Sequence, residues 1–264
     1  MNEPEKVNFI VKKLRSKNPV LITGFPGIGL VGNIVSQYTI DQLKLRQIGS
    51  IDSKLFPPIA VLFAGLVNVP ARIYEGDELI VVVSDIPISP TISHDLSKAL
   101  VDWAQRINAR ELVSIAGIAT LPDEHIGTIA SDADIAKMIR ERTKQRHRIF
   151  GVATAPSVLE KLKGKVSIFG MGTVAGIAGS IMTECSLRNF PAICLLSETY
   201  GTAPDPRAAV EVIKVLNSLY GVDIDTEKLL GQAERIELGF RRLAEQVRKT
   251  EEPEVGERGL PLYG

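Results

Sequence analysis

The sequence predicts an α/β fold: a mixed, largely parallel sheet with helices on both faces, followed by a long C-terminal helix and a flexible tail. From Pro19 to about Leu219, short β-branched runs alternate with longer segments of helical period. Several of the runs, such as E-L-I-V-V-V-S at Glu78–Ser84, are apolar at consecutive positions, which implies burial on both faces and a parallel centre covered by helices. The stretch L-V-N-V-P-A-R-I-Y-E-G-D-E-L instead alternates and turns at E-G-D, an antiparallel hairpin between Tyr74 and Leu79 that makes the sheet mixed.

In chain order the patterns predict strands at Val20–Thr23, Gln47–Asp52, Ile59–Ala64, Val67–Tyr74, Glu78–Ser84, Leu112–Ala116, Val166–Phe169 and Ala192–Leu196. Helices are expected between them at Leu30–Leu45, Thr91–Asn108, Asp132–His147, Pro156–Lys163, Val174–Arg188 and Pro206–Tyr220. The last has the clearest start, because Asp205 can cap it and Pro206 occupies the first helical position, where a missing N–H costs nothing. After Gly221 a terminal helix is expected from about Thr226 to Lys249. In it Leu229, Ala233, Ile236, Phe240, Leu243 and Val247 recur at heptad intervals, a seam that packs on its own domain or on a partner subunit. The chain thus divides into an α/β domain over 1–221, a helical region over 222–250 and a tail over 251–264.

Composition narrows the function classes. Lys+Arg and Asp+Glu both total 31, so no cationic excess is available to neutralise a nucleic-acid backbone. No apolar run approaches the roughly 20 residues of a bilayer crossing. The amino end, M-N-E-P-E-K-V-N-F-I, lacks the basic and apolar regions of a secretory signal, so a cytoplasmic protein is expected. Cys185 and Cys194 read as small buried side chains, and with His94, His125 and His147 they form no zinc-ligand spacing, so neither a disulfide nor a metal is expected.

Two glycine loops stand out. L-I-T-G-F-P-G-I-G-L-V-G-N-I-V-S satisfies G-x-G-x-x-G through Gly27, Gly29 and Gly32, between a strand and a helix, with Asp52 as a possible ribose partner. Against a dinucleotide, Phe25-Pro26 lengthens the turn that wraps phosphates. The second cluster, F-G-M-G-T-V-A-G-I-A-G, carries Gly170, Gly172, Gly176 and Gly179, a smooth surface for packing on the sheet or another subunit. Neither loop has the Lys-Ser/Thr pair of a Walker A sequence, which argues against ATP hydrolysis by a P-loop. A cleft at the carboxyl ends of the strands would gather Asp85, His94, Thr120, His125, Glu198 and Tyr200, yet no G-x-S-x-G elbow presents a nucleophile. One reading is therefore a small-molecule or nucleotide-binding enzyme using the loop at 24–32 or the cleft near Glu198.

The other comes from a resemblance. G-F-P-G-I-G-L-V-G-N, the F-P-P hinge at Phe56–Pro58, S-D-I-P-I after a central strand and F-G-M-G-T-V-A-G-I-A-G, in this order, resemble the archaeal form of the proteasome assembly chaperone family from about Val20 to Val247. The resemblance implies a nucleoside-phosphorylase-like fold, no enzymatic activity, no cofactor, and binding to proteasome α-subunits. It also gives Leu262, Tyr263 and Gly264 a role, because they look like the hydrophobic-tyrosine-any-residue ending with which proteasome activators dock between α-subunits. Leucine would fill an apolar slot, the tyrosine ring would pack while its hydroxyl bonds, and the carboxylate would pair with a lysine of the α-ring. The charged stretch E-E-P-E-V-G-E-R-G would act as a leash of roughly 20 Å reach. A single short tail binds weakly, so self-association, with a homotetramer expected, would supply avidity.

Overall fold

The computed structural model describes residues 7–119, 147–199 and 204–231. The helix expected at Asp132–His147, except for His147, most of the terminal helix and the tail lie outside them, as do Thr120, His125 and Tyr200.

The described strands are β1 (Asn8–Val11), β2 (Val20–Gly24), β3 (Arg46–Asp52), β4 (Val61–Phe63), β5 (Leu66–Asn68), β6 (Ala71–Glu75), β7 (Leu79–Ser84), β8 (Glu111–Ala119), β9 (Ile149–Ala153), β10 (Ser167–Ile168) and β11 (Ala192–Thr199). The helices are α1 (Val31–Gln42), α2 (Pro90–Arg106), α3 (Pro156–Glu160), α4 (Gly176–Leu187) and α5 (Pro206–Tyr220). Nine strands form one sheet in the order β1-β3-β6-β7-β2-β8-β11-β9-β10. Its centre, β7-β2-β8-β11, is parallel. Antiparallel pairing begins at β6–β7 on one side and at β11–β9 on the other.

The alternation of strand side chains assigns the layers. In β7, Leu79, Val81 and Val83 face one core, with α1, α5 and Val158 of α3, whereas Ile80 and Val82 face the other, with α2 and Ile181 and Cys185 of α4. Every residue of β7 and β2 is buried, as expected for strands covered on both faces. Each buried Val, Leu or Ile among them contributes about 1.5–3 kcal/mol, so an aspartate at Val82 would be strongly destabilising. Helix α5 begins as its sequence requires, the Asp205 carboxylate accepting the Ala208 N–H, and ends at Gly221 with φ +66°.

Some expectations need correction. The segments Ile59–Ala64 and Val67–Tyr74 are not two members of the main sheet. Val61–Phe63 and Leu66–Asn68 pair only with each other, and the chain rejoins the sheet at Ala71, after Pro70, which has no N–H for a ladder. Strands β1 and β9 were not expected from the sequence, and His147 precedes β9 instead of ending a helix. Finally, Ile224 and Leu229 are buried in the α1–α5 layer, so the first position of the heptad seam packs on its own domain.

Candidate functional site

The parallel strands β2, β7, β8 and β11 end at Gly24, Ser84, Ala119 and Thr199, and this carboxyl edge carries both glycine loops. The first runs from β2 through a single 3-10 turn, Ile28–Leu30, into α1, with Leu30 left-handed at φ +49°. Its glycines are places of close approach. A Cβ on Gly24 would stand 1.9 Å from Ser36 Oγ, one on Gly32 2.5 Å from the Ile115 carbonyl, and one on Gly29, where φ is already +63°, 2.3 Å from Thr199 Oγ1. From the facing strand, a Cβ on Gly117 would stand 2.2 Å from the Ile28 carbonyl. At Gly24, Gly29 and Gly32 the missing side chain thus makes room for the protein's own Ser36, Thr199 and Ile115, and only at Gly27 does a Cβ position face open space.

Hydrogen bonds close the same loop. Leu30 N–H donates to the Gly27 carbonyl at 3.0 Å, and Asp205 N–H donates to the Gly29 carbonyl at 2.8 Å. The Asp205 carboxylate accepts from Thr199 Oγ1 at 2.8 Å as well as capping α5. His147 Nδ1 donates to the Glu198 carbonyl at 2.8 Å, which turns Nε2 toward Asp205 Oδ1 at 3.6 Å. Aspartate, not histidine, stands between the other two, so this clasp does not deprotonate a hydroxyl in the way a catalytic triad does. Asp52 fails as a ribose partner for a topological reason. It ends β3, and β6 and β7 lie between β3 and β2, putting it about 14 Å across the sheet from the loop.

The other nominated residues are spread out. Asp85 accepts from Gln37 Nε2 at 3.0 Å and pairs with the buried Arg72, whose Nη1 also donates to the Val69 carbonyl at 2.9 Å. Burial alone would lower the Arg72 pKa, but the Asp85 hydrogen bond and charge outweigh it and raise the value, so this pair is a fixed ionic brace. His94 is exposed on α2. Glu198 binds Arg148 Nε at 3.0 Å and Nη2 at 2.8 Å. Asp85, His94 and Glu198 therefore do not converge.

What the edge does form is a groove of about 420 Å³ between the two glycine loops. Phe25, Pro26 and Ile28 make one wall, β8 from Ser114 to Ala119 the floor, and Thr173–Ala178 the other wall. No charged side chain among the described residues lines it. Gly176 leaves the second loop with φ +69° to start α4, which packs on α2 through Ser180 Oγ and Ser97 Oγ at 2.9 Å. Intramolecular packing thus accounts for Ala178 and Ser180, whereas a Cβ on Gly176 would meet nothing within 4 Å. Sequence reasoning placed a cleft at this edge but gave it polar residues, and missed its apolar floor because Gly117, Ile118 and Ala119 extend β8 beyond the predicted Ala116. It also missed the partnership of Thr199 and Asp205, which only the pairing of β11 reveals.

The chain matches the family model described as PAC2 family over residues 21–244. An uncharacterized protein of Methanocaldococcus jannaschii is 32% identical over 243 residues, 92% of each chain. Among solved structures, Pyrococcus furiosus PbaA, an archaeal homolog of proteasome-assembly chaperone, superposes with a TM-score of 0.77 and 30% identity, covering 93% of this chain and 94% of that one. Pyrococcus furiosus PbaB, an archaeal proteasome activator, shares the fold with a TM-score of 0.74 and 23% identity over 91% of this chain and all of the other. By the span of the family match and its likeness in both sequence and fold to these relatives, the chain belongs to the PAC2 family.

Proposed function

We propose that this chain is an ATP-independent chaperone or activator of the proteasome that binds the α-ring of the core through Leu262, Tyr263 and Gly264. In this reading it is a cytoplasmic, non-enzymatic protein acting as a homo-oligomer, a tetramer being the expected state, so that several tails engage one ring. The observation that carries it is the likeness to PbaA in both sequence and fold across more than nine tenths of each chain. Supporting it, the carboxyl edge holds a groove that no charged side chain lines among the described residues, and its first glycine loop is closed by internal bonds.

The test is capture of proteasome α-rings by the full chain, by a chain lacking residues 262–264, and by one with a single residue added after Gly264. Capture by the full chain alone is expected, because the added residue displaces the carboxylate that pairs with the ring. Equal capture by the shortened chain would refute the docking role.

A further inference from the structure

We propose that the β4–β5 ribbon is the contact through which copies of this chain associate, its tip entering the uncharged groove of a second copy. This deepens the self-association in the functional reading above and rests on it. Between Lys54 and Arg72 no residue is charged. In that stretch Leu62, Leu66 and Val67 are 72%, 70% and 73% exposed, with Leu55, Ile59 and Val69 exposed beside them. Leu62 and Val67 are cross-strand partners and share one face, while Leu66 points to the other, so each face of the ribbon presents an exposed apolar side chain. An apolar patch of this kind marks a contact surface.

The ribbon is also built to project. Its strands have three residues each and gain nothing from the main sheet, so by themselves they would be marginal. Ala64 and Gly65, at φ +49° and +78°, give a tight left-handed turn suited to a twisted hairpin. The base is held on both sides. Asp85 N–H donates to the Pro70 carbonyl and the buried Arg72 holds the Val69 carbonyl and Asp85 on the β5 side, while Phe56 packs against the α2-side core ahead of β4. A pre-organised ridge of this sort loses little entropy when it docks.

The matching surface lies on the same edge. β6 begins opposite Ser84, the end of β7, so the ribbon leaves the sheet at the edge where the groove opens between β8 and the glycine loops. Among the described residues the groove likewise has no charged lining, and Ile28 is 44% exposed in its wall. A second copy thus offers a surface of the same chemistry, and at zero net charge two copies have little long-range repulsion to overcome. Ridge and groove on one edge can be satisfied together about a two-fold axis, each ribbon entering the other's groove.

The experiment uses the full chain. Leu62→Asp with Val67→Asp, both at exposed positions, is expected to leave the thermal midpoint near wild type while weakening association about tenfold or more in sedimentation velocity. Leu66→Cys chains mixed with Ile28→Cys chains are expected to form disulfide-linked heterodimers, while neither forms a linked dimer alone. The native thiols Cys185 and Cys194 are buried and do not compete. An aspartate variant that assembles like wild type, or Leu66→Cys chains that link to themselves as readily, would overturn this contact while leaving self-association and ring binding standing. A wild-type chain that stays monomeric would overturn the self-association itself.

Discussion

Gly117→Ala tests whether the first glycine loop is a packing device. The added Cβ would lie 2.2 Å from the Ile28 carbonyl and 2.9 Å from Thr199 Cγ2, where ordinary contact begins at 3.4 Å. The carbonyl must therefore retreat by the difference between 2.2 and 3.4 Å, or 1.2 Å, and it is backbone, not a flexible side-chain tip. Moving Ile28 moves Gly29, whose carbonyl accepts the Asp205 N–H. Overpacking of this size costs about 1–3 kcal/mol, and straining that buried hydrogen bond about 1 kcal/mol more. A loss near 3 kcal/mol is expected, lowering the melting temperature by about 6–12 °C. Gly27→Ala is the control, because nothing lies within 4 Å of its Cβ, and it is expected to change stability by less than about 0.5 kcal/mol. Urea titration and thermal melting of both variants would measure this. If Gly117→Ala melts with the wild type, or Gly27→Ala falls as far, the packing account of the loop is refuted.

Glu75 is expected to govern acid stability on the opposite edge. Burial pushes its pKa up, but the N–H groups of Ser16 and Arg15, the Ser16 hydroxyl and Arg46 together outweigh this and bring it below its ordinary 4.5. A lowered folded pKa adds stability above the unfolded value that is lost as pH falls through the folded one. Glu75→Gln should therefore cost about 2 kcal/mol near neutral pH, with the gap from wild type closing as pH drops below about 4 in urea titrations. A gap independent of pH would refute that role. Burial raises both thiols, Cys185 and Cys194, to a pKa of about 12, so a thiol reagent at neutral pH should label the native protein only at the rate of unfolding. Labelling as fast as in denaturant would contradict their burial.

The centre of the fold was legible in the sequence because burial on both faces leaves a direct trace. The continuous apolar runs of β7 and β2 cannot be mistaken for amphipathic helix, and Asp205-Pro206 marked the start of α5. The edges left less. Strand β1 is four residues with partly exposed side chains, and its existence depends on the pairing of Asn8 with Asp52, which no local pattern encodes. The 59–74 stretch shows a different limit, since apolar content announces that a surface will be covered without saying by which chain. The glycine motif was visible, but its use was not. Spacing alone does not distinguish a glycine that makes room for phosphate from one that makes room for Thr199.

The clasp at the carboxyl edge joins Gly29 to Asp205, residues more than 170 positions apart. During synthesis the turn after β2 must therefore wait for most of the chain before its carbonyl finds its donor, and β8 must wait for β11. A nascent chain halted before β11 would hold an open sheet edge at β8 and an unclosed loop, a state that is itself a client for chaperones.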